Sequence, residues 1–292
     1  MKERLLIFFQ YKTFGLVGSI IILLFIIMQV QAKIEYNVSM DKKIKGATYN
    51  EDKMRQMNFY GNSLYQLDQY CKETNRDFIR EVTMRAILFD YELKDSKSEI
   101  KYPIEDKFVK EIEALPFYDK LYEMYKSVLK DVTYFPVPKD LLGKEYVSFE
   151  DSFGDARTYG GDRSHEGTDI IPSIKDRGYF PVLSVSDGVV ENIGWLELGG
   201  WRVGITSASG GYYYYAHLDS YAPGLKEGDE VRAGQLLGFM GDTGYGKKEG
   251  TRGKFIVHLH FGIYVMIDDK QVSVNPYPVL KYLRYKQIGY SF

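Results

Sequence analysis

Two imidazoles stand two residues apart in the run Val257-His258-Leu259-His260-Phe261-Gly262-Ile263. Read as a strand, the run turns both histidines to one face and Val257, Leu259, Phe261 and Ile263 to a core on the other. The chain has only four histidines, and the other two, His165 and His217, lie upstream of the pair in the C-terminal half. His165 opens His165-Glu166-Gly167-Thr168-Asp169, an imidazole and a carboxylate four residues apart. His217 follows Tyr212-Tyr213-Tyr214-Tyr215-Ala216, and strand alternation gives it the face of Tyr213 and Tyr215. Alone, a His and an Asp in a loop are commonplace, and a single strand histidine is more often structural than chemical. Together, four imidazoles and a carboxylate meet the needs of a hydrolytic zinc centre. Three of them can serve as ligands, leaving an open position for water and two imidazoles to act as base and as donor to a developing oxyanion. Zinc lowers the pKa of such a water to about 7 and polarises a scissile carbonyl.

Such a site needs a rigid platform, and composition places one in the last half of the chain. Short β-forming runs bounded by glycine occur at Val182–Val185, Val189–Ile193, Trp201–Thr206, Gly211–Leu218 and Val231–Met240. They predict a mainly antiparallel sheet domain over 145–292, with a turn at Asp187-Gly188 and a tight hairpin over Gly228–Gly238. Before it, Phe135-Pro136-Val137-Pro138 interrupts a helical region. Apolar stripes through Met54, Met57, Leu64 and Leu67, through Phe78, Val82, Ala86 and Phe89, through Phe108, Ile112 and Leu115, and through Phe117, Leu121, Met124 and Val128 predict a small helical domain over 51–140. These stripes read as packing and carry no chemical motif. Residues 33–50 read as a polar, irregular spacer.

Residues 1–32 read as a targeting segment, with Lys2, Arg4 and Lys12 ahead of a nearly unbroken apolar run from Phe14 to Met28. The charge placement predicts a single-pass anchor with a cytoplasmic N-terminus and everything from about residue 33 outside the cytoplasm. Val30-Gln31-Ala32 keeps a cleaved signal peptide, and hence a secreted protein, as the competing reading. The fold class is therefore α+β: a transmembrane helix, a helical domain, then the sheet. A net charge of -2 gives no basic field for nucleic acid. Cys71 is the single cysteine, which excludes an internal disulfide and any thiolate-rich metal site.

Over roughly residues 150 to 280 the chain resembles the lysostaphin and LytM type of peptidoglycan-cleaving zinc endopeptidases. The resemblance rests on three ordered motifs: His-x-x-x-Asp at 165–169, Ala-His-Leu at 216–218 and His-Leu-His-Phe at 258–261. Gly-Thr-Asp-Ile at 167–170, Gly-Asp-x-Val-x-x-Gly-Gln from 228, Gly-Asp-Thr-Gly at 241–244 and Asn275-Pro276 accompany them. The resemblance implies zinc ligands at His165, Asp169 and His260. It gives His258 and His217 the base and intermediate-stabilising roles, leaving their division open, and Tyr213 and Tyr215 would then line the substrate groove. Two departures bear on groove shape: a longer basic insertion from Tyr245 to Ile256, and Gly262 where an acidic residue is frequent. The implied function is a membrane-anchored zinc endopeptidase acting on bacterial peptidoglycan peptides, its helical domain a spacer or a docking site for a protein partner. The alternative is a non-catalytic scaffold or regulator on the same fold, as in sporulation, whose mark would be a degraded ligand set. The complete set here favours the enzyme.

Overall fold

In the computed structural model, residues 2–101, 103–144, 146–159 and 161–291 are described, with side chains except at 2–15, 97 and 98. Met1 and the side chains of Lys2, Arg4 and Lys12 thus lie outside the described residues. The first helix, α1, runs Lys2–Gly46 without a break. Among the described residues, one helical stretch, Leu16–Gly46, is long and apolar enough to cross a membrane, with a mean hydropathy of 2.1.

Residues 33–46 of the expected irregular spacer are instead the end of this helix, and only 47–50 are non-helical. Tyr36, Met40 and Ile44 recur every four residues and form one stripe. Met40 and Ile44 are buried, and the Tyr36 ring meets Phe108 edge-on at 5.8 Å. Lys33 pairs with Glu105, and Lys107 donates to Asn37 at 2.9 Å. The polar residues between these positions face outward, which is why composition alone suggested a linker.

Among the described residues, besides a single turn at Lys97–Ile100, five further helices form the helical layer: α2 (Glu51–Gln56), α3 (Ser63–Thr74), α4 (Phe78–Leu88), α5 (Asp106–Glu113) and α6 (Tyr118–Leu129). The stripe through Met54 and Leu67 spans two helices, because Met57 adopts a left-handed conformation with φ 46° and ends α2. Asp77 caps α4 by accepting from the Arg80 N–H at 2.7 Å, and Asn75, left-handed at φ 53°, ends α3 before it. A buried ion pair from Arg85 to Glu81 ties α4 internally, while Arg85 also donates to the carbonyls of Glu99 and Ile100.

The C-terminal half builds a ten-stranded sheet. Its strands are β1 (Val147–Phe149), β2 (Thr168–Pro172), β3 (Pro181–Leu183), β4 (Gly188–Leu196), β5 (Gly200–Thr206), β6 (Tyr212–Tyr221), β7 (Glu230–Val231), β8 (Leu236–Met240), β9 (Leu259–Ile267) and β10 (Lys270–Val274). The main path is β7-β4-β5-β6-β9-β2-β1, with β8 joined to β6 and β3, and β10 to β9. All pairings in it are antiparallel. Two expected local turns join strands that do not pair with each other. β3 pairs with β8 rather than across Asp187-Gly188 with β4, and β7 pairs with β4 rather than across 232–235 with β8.

Helical layer and sheet share a continuous hydrophobic core. Tyr213 on β6 donates its hydroxyl to carbonyls of α6, at 3.3 Å to Ser127 and 3.2 Å to Val128. Arg55 of α2 donates to the Ser273 carbonyl of β10 at 2.8 Å, and Asn275 N–H returns a bond to the Arg55 carbonyl at 2.8 Å. A last helix, α7 (Tyr277–Leu283), packs Tyr282 against Phe78 at 5.8 Å.

Candidate metal centre and groove

Adjacent strands bring the donors together by register. Asp169 of β2 lies directly opposite His260 of β9, and His258 bridges to Gly241 just before β9 starts. His165 precedes β2 on a loop whose backbone is pinned at both ends, Gly154 N–H to the His165 carbonyl and His165 N–H to the Asp155 carbonyl, each 2.8 Å. The result is a triangle of ligand atoms. His165 Nε2 is 2.9 Å from His260 Nδ1, and each is 3.1 Å from Asp169 Oδ1. Ligands of a tetrahedral zinc at 2.0–2.1 Å stand about 3.3 Å apart. The donor set therefore matches zinc in residue type and nearly in size.

Three of the four imidazoles are oriented through Nδ1 by a backbone carbonyl. His165 Nδ1 lies 2.9 Å from the Ser152 carbonyl, His258 Nδ1 2.8 Å from that of Ile256, and His217 Nδ1 2.8 Å from that of Thr243. A carbonyl only accepts, so for His258 and His217 these contacts put the proton on Nδ1 and leave Nε2 with its lone pair, whereas His165 Nδ1 also lies 3.0 Å from Arg157 Nη2, a donor. His258 Nε2 is 3.6 Å from Asp169 Oδ1, and the rings of His217 and His258 are 4.7 Å apart. Phe255 packs against both, its centroid 4.5 Å from His217 and 5.1 Å from His258.

The electrostatics suit a cation. Burial pushes His217 well below the ordinary imidazole value, and His258 and His260 push it the same way against the Thr243 carbonyl. Burial also lowers His258 and His260, opposed by Asp169. These rings are neutral at pH 7, the state in which imidazole ligates or accepts a proton. For Asp169, burial alone would raise the carboxyl, but hydrogen bonds with His165 and His260 outweigh it and hold the group well below the carboxylate range. Arg157 also donates to Asp169 Oδ2 at 3.0 Å.

His217 reaches the site through a break in β6. Trp201 pairs with Leu218 but Val203 with Tyr215, so Arg202 alone faces Ala216 and His217. At this bulge His217 takes φ 62°, a left-handed conformation uncommon outside glycine. The extra residue flips the alternation, and the expectation for Tyr213 and Tyr215 is corrected by it. Both are fully buried on the opposite face, Tyr213 bonded to α6 and Tyr215 accepting from the Val185 N–H at 2.8 Å. Tyr212 and Tyr214 line the groove instead.

That groove holds about 1060 Å³ and contains all four histidines and Asp169. Leu196, Leu198 and Ile256 supply apolar surface along it, and Tyr212, Tyr214 and Tyr264 an aromatic wall. Gly262, directly opposite Tyr214, leaves the space these rings occupy; a Cβ there would lie 2.9 Å from the Tyr264 ring. The 245–256 insertion also contributes, because Tyr245, Phe255 and Ile256 face the groove. Tyr159 stacks on Tyr245 at 4.2 Å and 7°, and Arg163 donates to the Tyr245 hydroxyl at 3.0 Å. Asp242 anchors the insertion's start by accepting a fork from Arg177, at 2.7 and 2.8 Å, and the Gly253 N–H at 2.9 Å. Sequence reasoning missed Arg157, Arg202, Phe255 and the steric role of Gly167, where a Cβ would lie 2.5 Å from His260 Cε1; none follows from a local pattern, since each is defined by neighbours distant in sequence.

The sequence profile described as Peptidase family M23 matches residues 163–276. The chain is 42% identical over 162 residues to the L-Ala–D-Glu endopeptidase of Bacillus subtilis, covering 56% of this chain and 47% of that protein. It is 32% identical over 127 residues to lysostaphin of Staphylococcus simulans, covering 43% of this chain and 23% of lysostaphin. The chain thus spans about half of the first relative's length and about a quarter of the second's. A crystal structure from Ruminococcus gnavus, provisionally described as a glycyl-glycine endopeptidase LytM, superimposes with a TM-score of 0.71 at 39% identity. It covers 86% of this chain and 97% of that one. By the ordered motifs, the matched profile and this near-complete coverage, the chain belongs to peptidase family M23.

Proposed function

We propose that this protein is a zinc metalloendopeptidase that hydrolyses peptide bonds of bacterial peptidoglycan, held at the outer surface of the cell membrane by α1. The observation that carries the reading is the donor triangle of His165, Asp169 and His260, with two further oriented imidazoles beside it. His165 Nε2, His260 Nδ1 and Asp169 Oδ1 would hold the ion. When bound, zinc supplies Lewis-acid polarisation of a carbonyl and a water of lowered pKa.

The chain's own groups account for the rest. His258, neutral and with Nε2 free, takes the proton of the attacking water. His217, fixed on the Thr243 carbonyl and equally lacking a proton on Nε2, receives its hydrogen bond from the substrate or water and can carry a proton to the leaving amine. Phe255 and Tyr245 shield this pair from bulk water, and Tyr212 and Tyr214 seat an extended peptide. The bonds named for the relatives, L-Ala–D-Glu and Gly–Gly, define the two substrate classes to compare.

The test pairs zinc content with release of new amine termini from peptidoglycan, using the full chain in detergent. Wild type is expected to hold near one zinc and to release fragments. His258→Ala should keep zinc while its rate falls by about 10²–10⁴-fold, and His260→Ala should lose the metal. A zinc-loaded wild type that releases nothing from walls of several chemotypes would remove the enzyme reading.

A further inference from the structure

Arg202 is a groove cation whose hydrogen-bonding capacity is largely unused. Its Nη1 is shut off from solvent and has no hydrogen-bond partner, and Nη2 has only Asn192 Oδ1 at 3.4 Å. Among the described residues no carboxylate pairs with it, whereas Arg157 pairs with Asp169 and Arg163 bonds the Tyr159 carbonyl and the Tyr245 hydroxyl. A guanidinium offers five donors in a rigid fork, and among the described residues those of Arg202 other than at Nη2 have no hydrogen-bond partner within the chain.

Apart from the enclosed Nη1, the side chain is half-buried and lines the groove. Val203 and Ile205 of β5 enter the core, so Arg202 takes the opposite face, where it lines the groove with Tyr212 and Tyr214. Glycines flank it: a Cβ on Gly204 would collide with the Tyr212 hydroxyl at 1.9 Å, and one on Gly199 with that of Tyr214 at 2.1 Å. The tyrosines thus lie across glycine backbone beside the Arg202 side chain. Register ties this position to the metal centre. Asp169 pairs with His260, His260 with Ala216, and Arg202 faces the Ala216–His217 bulge. Arg202 is therefore two strand spacings, about 10 Å, from His260 along one row of the sheet.

We infer that Arg202 binds a carboxylate of the substrate, on a residue at or next to the scissile amide, so that the groove selects anionic stem peptides over neutral glycine bridges. The assignment rests on the endopeptidase reading for its purpose, but not for its test. The Nε–Nη2 edge of an Arg, which leaves the enclosed Nη1 out, matches a planar carboxylate in two parallel bonds. A substrate lacking that group leaves the Arg202 donors without a substrate partner in the groove, which is how a site built to bond a polar group discriminates.

The probes are two synthetic stem peptides containing L-Ala–γ-D-Glu, one with the free α-carboxylate and one with the α-amide, plus pentaglycine. Binding and hydrolysis are measured on the zinc-loaded full chain in detergent, as wild type, Arg202→Gln and Arg202→Lys. Wild type should bind the acid at least about tenfold more tightly than the amide, and turn it over with a similar preference in kcat/KM. Arg202→Gln should bring the acid-to-amide ratio near one, and Arg202→Lys, which keeps the charge, should restore part of it; a purely structural arginine would move both peptides together. Equal binding of acid and amide by wild type, or a ratio untouched by Arg202→Gln, overturns the assignment and leaves the endopeptidase reading standing. Selective binding without hydrolysis of any peptide supports Arg202 and instead counts against the enzyme.

Discussion

At the scale of single residues, Gly167 supplies the space that the candidate metal centre needs. It lies two residues before Asp169, and a Cβ there would sit 2.5 Å from His260 Cε1 and 2.6 Å from the Phe261 carbonyl. Its φ is not in the left-handed region, so the demand is for space alone. Gly167→Ala must displace either the His260 ring or the β9 backbone. The expected cost is about 1–3 kcal/mol of stability, as for other overpacked positions, and a loss of roughly 10–100-fold in zinc affinity, as for perturbed ligand orientation. Competition with a chromogenic chelator measures the second effect, and unchanged affinity would show that the loop relaxes freely. The convergence of His165, Asp169 and His260 was anticipated through the ordered motifs of the family resemblance, since residue chemistry alone left the choice open among four histidines and one aspartate. Gly167 and Arg202 were not, because what defines them is the emptiness or the company of a place that distant strands create.

Elements decide where those residues point, and here the sequence was legible in part. Alternation in Val257–Ile263 predicted the face of His258 and His260, and burial agrees, with Val257, Leu259, Phe261 and Ile263 all in the core. The same rule failed at His217 because a bulge adds one residue, and a period of two has no memory across it. Strand partners were also hidden, since the pairing of β3 with β8 is a long-range choice that turn residues do not record. The Tyr245–Ile256 insertion had the composition of a solvated loop, yet it is strapped to the site through Asp242. Burial would raise the Asp242 carboxyl, but Arg177, the Gly253 N–H and Arg252 lower it further than burial raises it. A carboxyl with a lowered folded pKa stabilises the fold above its unfolded value, near 3.9, and loses that contribution as pH falls through the folded one. Asp242→Asn should therefore melt below wild type at pH 7, and the gap should close progressively under about pH 4. Thermal unfolding across pH 2.5–7.5 reads it directly; a gap that persists at the acid end would assign Asp242 a role in shape alone.

For the whole molecule, the sequence divided the chain by composition, whereas packing joins what composition separates. The helical layer rests on the sheet through Tyr213, Arg55 and Phe78, and α1 passes from its apolar stretch into that layer without a hinge. Ile44 is 5% exposed and Met40 7%, both against the α4 and α5 side of the layer, while Ile26 is 51% exposed. If α1 is the anchor, its last turns are a bracket that fixes the groove relative to the membrane, and the contacts of Lys33, Tyr36 and Asn37 with α5 set the angle. Removing a buried aliphatic side chain from such a bracket costs about 2–4 kcal/mol, which for a protein of this size lowers Tm by roughly 5–10 °C. Ile44→Ala should show that loss and quicken proteolysis between Gly46 and Glu51, and Ile26→Ala, whose side chain touches no core, should show neither. Equal behaviour of the two variants would mean that α1 ends free of the helical layer, and the groove would then swing on a tether rather than stand on a post.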